Sequence, residues 1–67
     1  MKLDLDQRWT DRLAALPESG MGYQRVRVRL LDGRTIAPAI VLNAQILQVD
    51  QPTAPFRTVD IAEIELE

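Results

Sequence analysis

The residues of this 67-residue chain whose types and spacing could do chemistry are four arginines and a tyrosine. Arg25, Arg27 and Arg29 recur at every second position, Arg34 follows a turn, and Tyr23 stands just ahead of them. Alternate positions of a strand project from one face. Such a stripe offers guanidinium groups to phosphates and, in Tyr23, a ring on which a base can stack, which is the chemistry of nucleic-acid binding. Residues 21–34 carry four Arg against one Asp, and residues 35–67 carry one Arg against two Asp and three Glu. The competing reading is neutralisation within the chain. Glu63, Glu65 and Glu67 share the period of the arginines, and if the last strand pairs with the arginine strand, opposite charges face one another. Each such pair contributes roughly 0.2–1 kcal/mol. That reading is favoured, and the formal net charge of -2 also disfavours a dedicated nucleic-acid binder, which is usually strongly basic.

Other chemistries find no residues to carry them. The chain has no cysteine and no histidine, which removes disulfides, thiolate or imidazole metal sites, cysteine nucleophiles and histidine-based triads. Ser19 is the only serine, and no adjacent lysine or histidine is present to activate it. Pro17 to Gly22, reading PESGMG, lacks the Gly-Lys-Ser/Thr of a phosphate loop. Asp4 with Asp6, and the Glu63, Glu65 and Glu67 set, stand on alternate positions that project in parallel and do not wrap an ion. No catalytic, cofactor-binding or metal-binding residue is assigned, and no enzyme activity is expected.

The elements that must position these residues follow from hydrophobic period. Leu5, Trp9, Leu13 and Leu16 form a helical stripe, so a helix is predicted over 5–16, capped by Asp4 or Asp6 and stopped by Pro17. Residues 17–22 read as a linker. The period then changes to two: Arg25 to Leu30 alternates strictly, and Asp32-Gly33 is a strong hairpin signal. Thr35 to Leu42 reads as a second strand, with Pro38 marking an edge, bulge or bend. Ile46 to Val49 is a short third strand. Asp50 to Pro55 is a loop, Phe56 to Asp60 a brief strand entering a 3₁₀ turn, and Ile61 to Leu66 the last strand, with Ile64 and Leu66 inward. One domain spans 1–67. The predicted class is mostly β (α+β): a small SH3-like or Sm-like barrel of four to five antiparallel strands, residues 23–67, with an N-terminal helix.

Strict alternation in the second strand puts Ile36, Ile40 and Leu42 on one face and Ala37, Ala39 and Val41 on the other. Something must cover the second set. The N-terminal helix, a bend between two sheets, or a subunit or partner contact would each do so, and Ala37, Ala39 and Val41 are the candidate interface. A chain this short buries only roughly 60% of its unfolded surface, which makes self-association or a protein partner a natural source of further stability. The start, Met-Lys-Leu-Asp-Leu-Asp, turns acidic where a secretory leader runs apolar, and no stretch reads as a membrane span, so a cytoplasmic protein is expected.

Two resemblances attach to particular strings. LPESGMGY at Leu16 to Tyr23, VRVRLLDGR at Val26 to Arg34 and DIAEI at Asp60 to Ile64 resemble a family of short uncharacterised bacterial proteins, which implies no particular activity. Val26, Val28, Leu30, Asp32, Gly33, Arg34 and Ile36 are similar to the first Sm motif, which implies a small barrel. Pro38 and Ala44 stand where that motif has Gly and Asp, and the Arg-Gly of the second motif is missing. Those loops carry the RNA contacts of Sm-like proteins. The expected function is a non-enzymatic protein-interaction or self-associating module, with RNA binding through the arginine strand as the alternative.

Overall fold

The computed structural model describes residues 1–50 and 54–67. The alternation read from the arginine strand is present: β2 (Tyr23–Leu30) buries Gln24, Val26, Val28 and Leu30 and exposes Tyr23, Arg25, Arg27 and Arg29. Around it lie β1 (Lys2–Asp4), α1 (Gln7–Ala14), β3 (Thr35–Leu42), β4 (Ile46–Gln48), a 3₁₀ turn (Thr58–Asp60) and β5 (Ile61–Leu66). The strands pair antiparallel in one open sheet of order β1-β4-β3-β2-β5. The fold is mostly β, a small α+β domain. As expected, the arginine strand pairs with the last strand, but no ladder joins β1 to β5 among the described residues. The sheet therefore ends in two edges, and closure into a barrel is not seen among the described residues.

The helix is shorter than its apolar stripe. Asp6 is the cap, its carboxylate accepting the Trp9 N–H at 3.2 Å. Leu5 lies before the helix, where its N–H donates to Gln45 O. Trp9 and Leu13 are the two helical residues that reach the core, and Leu16, beyond the helix end, is exposed. At that end the last carbonyls of a helix lack intrahelical donors. Gln24 supplies one: its Nε2 donates to Leu13 O at 2.9 Å and to Leu16 O and Pro17 O at 3.3 Å. Residues 17–22 are more than a linker. Gly20 pairs with Tyr23, and the Arg25 N–H donates to Ser19 Oγ at 2.8 Å, so the segment folds back along β2.

β1 has no counterpart in the sequence reading, which assigned Leu5 to the helix. Three residues are too few for a periodic signal, and the strand exists through its pairing with β4. Phe56 is buried, but 54–57 forms no strand. Of the predicted loop at 50–55, residues 51–53 lie outside the described residues. The core gathers Val26, Val28, Leu30, Ile36, Ala39, Val41, Leu47, Ile61 and Ile64 from the sheet beneath Trp9, Leu13, Val49 and Phe56. No helix among the described residues is long and apolar enough to cross a membrane.

The β2–β3 hairpin shows what Asp32-Gly33 does. The Gly33 N–H donates to Leu30 O and the Leu30 N–H to Arg34 O, with Gly33 at a φ of +95° that glycine tolerates best. This is a type I turn closed by a glycine bulge. The Asp32 carboxylate accepts the Arg34 backbone N–H at 2.9 Å and its Nε at 2.8 Å. The backbone hydrogen bond from Arg34 first, then its guanidinium, holds the Asp32 pKa below the usual carboxylate value. A depressed folded pKa contributes stability above the unfolded pKa of about 3.9, and that contribution is lost as pH falls through the lower folded value. Asp32→Asn is expected to flatten this part of the acid-unfolding profile, and a carboxyl shift titration of the wild type should place Asp32 below 3.8.

Candidate functional site

β3 does not keep strict alternation. Val26 pairs with Ala39 and Val28 with Ile36, so three steps along β3 face two along β2. The extra residue is a bulge at Ala37-Pro38, whose peptide is cis. A bulge shifts by one every side chain beyond it. Ala39 and Val41 consequently turn into the core, 2% and 0% exposed, while Ile40 and Leu42 turn outward. The candidate set Ala37, Ala39, Val41 is therefore not one face. Ala37 is half-buried at the bulge, and the other two are buried with the core.

Register defines what stands on the outer face. One row across β1, β4, β3 and β2 reads Asp4, Ile46, Leu42, Tyr23, and the next reads Lys2, Gln48, Ile40, Arg25. Ile40, Leu42 and Ile46, all half-buried, and the exposed Tyr23 thus form one apolar cluster, while α1 and Phe56 pack on the opposite face. The Tyr23 ring lies on Gly20, where any Cβ would collide with it. Beside the cluster a cleft of about 470 Å³ is lined by Arg25, Pro38, Ile40, Gln48 and Asp50. Sequence reasoning missed this cluster because it sent Ile40 and Leu42 inward. Pro38 was the available signal: a proline in a central strand is confined to bulges, and a bulge inverts the facing of every residue beyond it.

Arg27 stands opposite Glu65 and Arg29 opposite Glu63, and the Glu67 N–H donates to Arg25 O, so the acidic residues run alongside the stripe as expected. They do not clasp it. The ion pairs among the described residues are Arg12 to Glu63 at 3.1 Å and Arg34 to Asp32 at 2.8 Å. Arg34 does not extend the stripe either. It follows the alternation of β3 to the other side of the sheet from Thr35, and its guanidinium also donates to Ala54 O. Lys2, Arg25, Arg27 and Arg29 share the outer face with Asp4, Glu65 and Glu67, while the Glu63 carboxylate is taken by Arg12 of α1.

A second recess, of about 400 Å³, opens where α1 ends, lined by Leu13, Leu16, Glu18, Tyr23, Gln24 and Asn43 among others. Gln24 is spent on helix carbonyls, and no nucleophile and base meet there. Trp9, 2% exposed, is roofed by the Arg8 and Arg12 guanidinium groups at 4.8 and 5.2 Å from its ring centroid. Among the described residues no group of three or more Asp or Glu side chains is placed to hold a metal ion. Compared with known proteins, the chain matches no family model, no curated protein and no solved structure. The resemblances drawn from its sequence rest on their strings of residues alone.

Proposed function

We propose that this protein is a non-enzymatic interaction module that docks a protein partner on the outer face of β2, β3 and β4. The observation that carries this reading is the apolar cluster of Tyr23, Ile40, Leu42 and Ile46 on the face away from α1. A contiguous apolar patch rimmed by polar residues marks an interaction site more often than a solvated surface. Here the rim is Lys2, Arg25, Gln48 and Asp4, and an aromatic residue sits at its edge, the composition of an interface core with a polar border.

RNA binding is the second reading, and one observation favours it. The Arg25, Arg27 and Arg29 guanidinium groups make no hydrogen bond or ion pair among the described residues. The acidic residues standing opposite the stripe on β5 and the diversion of Arg34 weigh against it.

Two variants separate the readings. Ile40→Glu puts a carboxylate into the cluster and is expected to abolish partner binding while changing stability by about 1 kcal/mol or less, because the residue faces outward. Arg27→Glu is expected to leave partner binding within a few-fold. Capture from an extract of the protein's own cells, compared for wild type and both variants, is the measurement. Binding that survives Ile40→Glu and is lost with Arg27→Glu would transfer the function to the arginine stripe.

A further inference from the structure

The two edges of the open sheet differ in what they would meet in a second copy of the chain, and only one of them is self-complementary. At the β1 edge, Met1 and Val49 exchange both backbone hydrogen bonds at 2.8 Å, and the Leu5 N–H donates to Gln45 O at 2.7 Å. Antiparallel ladders alternate, so residues 1, 3 and 5 spend their backbone groups on β4. The N–H and C=O groups of Lys2 and Asp4 therefore point away from the sheet, a row of open donors and acceptors.

A two-fold axis through Leu3 puts Lys2 of one copy opposite Asp4 of the other, and Asp4 opposite Lys2. Both are the residues whose backbone groups are open, so this register forms four main-chain hydrogen bonds and two opposite-charge pairs together. Leu3, half-buried on the core side, meets its own symmetry mate. Shifting the axis by one residue either way sets Lys2 against Lys2 or Asp4 against Asp4, so charge selects one register. The β5 edge behaves oppositely. Glu63, Glu65 and Glu67 recur along it, and a two-fold axis through any of residues 63 to 66 sets a carboxylate against a carboxylate. Inserting like charges is a common way to blunt an edge against pairing.

We infer that this protein self-associates as a two-fold dimer through antiparallel pairing of β1 with β1 of a second copy, in the register Lys2 to Asp4. The product is a ten-stranded sheet. Its outer face carries the apolar clusters of both copies side by side, with the Lys2 and Asp4 pairs between them. This inference shares Lys2 and Asp4 with the rim of the docking face but none of its apolar residues, so Ile40→Glu tests docking and the charge reversals at Lys2 and Asp4 test the dimer.

Sedimentation equilibrium tests it at protein concentrations up to about 1 mM, where even a millimolar dissociation constant populates dimer. The wild type is expected to dimerise. Lys2→Asp and Asp4→Lys are each expected to weaken the dimer by about tenfold or more, because both symmetry-related pairs become like-charged. The double variant Lys2→Asp/Asp4→Lys restores opposite charges and should recover dimerisation. Asp4→Pro removes a donor that faces the open edge, a position where proline is tolerated, and should give a folded monomer by circular dichroism. In hydrogen exchange, protection of the Lys2 and Asp4 amides should rise with concentration. A wild type that stays monomeric at about 1 mM overturns the inference. So does a dimer indifferent to the single charge reversals, or one the double variant does not recover.

Discussion

Replacing Trp9 with alanine is expected to unfold the protein at 25 °C or to leave it barely folded. Trp9 and Leu13 are the residues by which α1 enters the core, and the indole is buried beneath Arg8 and Arg12. Removing a buried tryptophan costs about 3–5 kcal/mol. A domain of this size has a total stability of only about 3–10 kcal/mol. Trp9→Phe is the informative companion. The indole Nε1 is buried with no acceptor among the described residues, an unsatisfied donor that costs about 1–3 kcal/mol where water is excluded. Phenylalanine loses ring surface but also loses that donor, so its net change should stay within about 1.5 kcal/mol. Urea unfolding decides both, read as a midpoint shift at constant slope. A Trp9→Ala variant with the wild-type midpoint would mean that the sheet is stable without its helix.

Gln24 carries the second large effect. It is 3% exposed, the one buried polar residue among those described, and it holds the end of α1 to β2 through three carbonyls. Gln24→Leu preserves volume but removes the side-chain donor shared by the Leu13, Leu16 and Pro17 carbonyls, of which Leu13 O keeps the Leu16 N–H at 3.0 Å, and a loss of about 1 kcal/mol or more is expected. Gln24→Glu adds a pH dependence the wild type lacks at this position. A carboxylate aimed at carbonyl oxygens, in a buried site, has its folded pKa raised above the unfolded value of about 4.3. The folded state then holds the proton more tightly. Stability is greatest below that unfolded pKa and falls as pH rises through the interval up to the raised folded pKa. Urea midpoints of the two variants between about pH 4 and pH 8 should therefore diverge with pH, Gln24→Glu falling and Gln24→Leu staying level relative to wild type. Parallel profiles would show that position 24 is solvated and that α1 is held by other contacts.

These two residues mark where the sequence was legible and where it was not. Trp9 and Leu13 could be placed in the core by helical spacing alone, and Val26, Val28 and Leu30 by strict alternation, since both periods are local properties of the chain. Gln24 falls on the inward parity of the same strand, but its partners come from an element ahead of it, and no local pattern names them. The same limit hid β1, whose pairing with β4 joins residues more than forty positions apart. It also hid the open edges of the sheet, because strand order says little about closure. The candidate site suffered from a different cause. One extra residue at Ala37-Pro38 exchanged the faces of everything after it, moving Ala39 and Val41 inward and Ile40 and Leu42 outward. Parity errors propagate along a strand, so a single unseen bulge was enough to exchange which residues of β3 face outward. The arginine stripe lies before the bulge, and its outward placement and its register against the acidic strand were both readable.

If the outer face binds a protein through apolar contact, as proposed, the salt dependence of wild-type partner capture reveals it most directly. Phosphate contacts release counterions, and six or more of them weaken binding by about a thousandfold or more between 50 and 200 mM salt, whereas an apolar interface changes little. Immobilised protein, first freed of nucleic acid and then incubated with an untreated extract of its own cells, is expected to retain the same stoichiometric protein at about 0.1 M and about 1 M salt. That retention should vanish with Ile40→Glu. Retention of nucleic acid alone, released as salt rises and indifferent to Ile40→Glu, would contradict apolar docking and return the function to Arg25, Arg27 and Arg29.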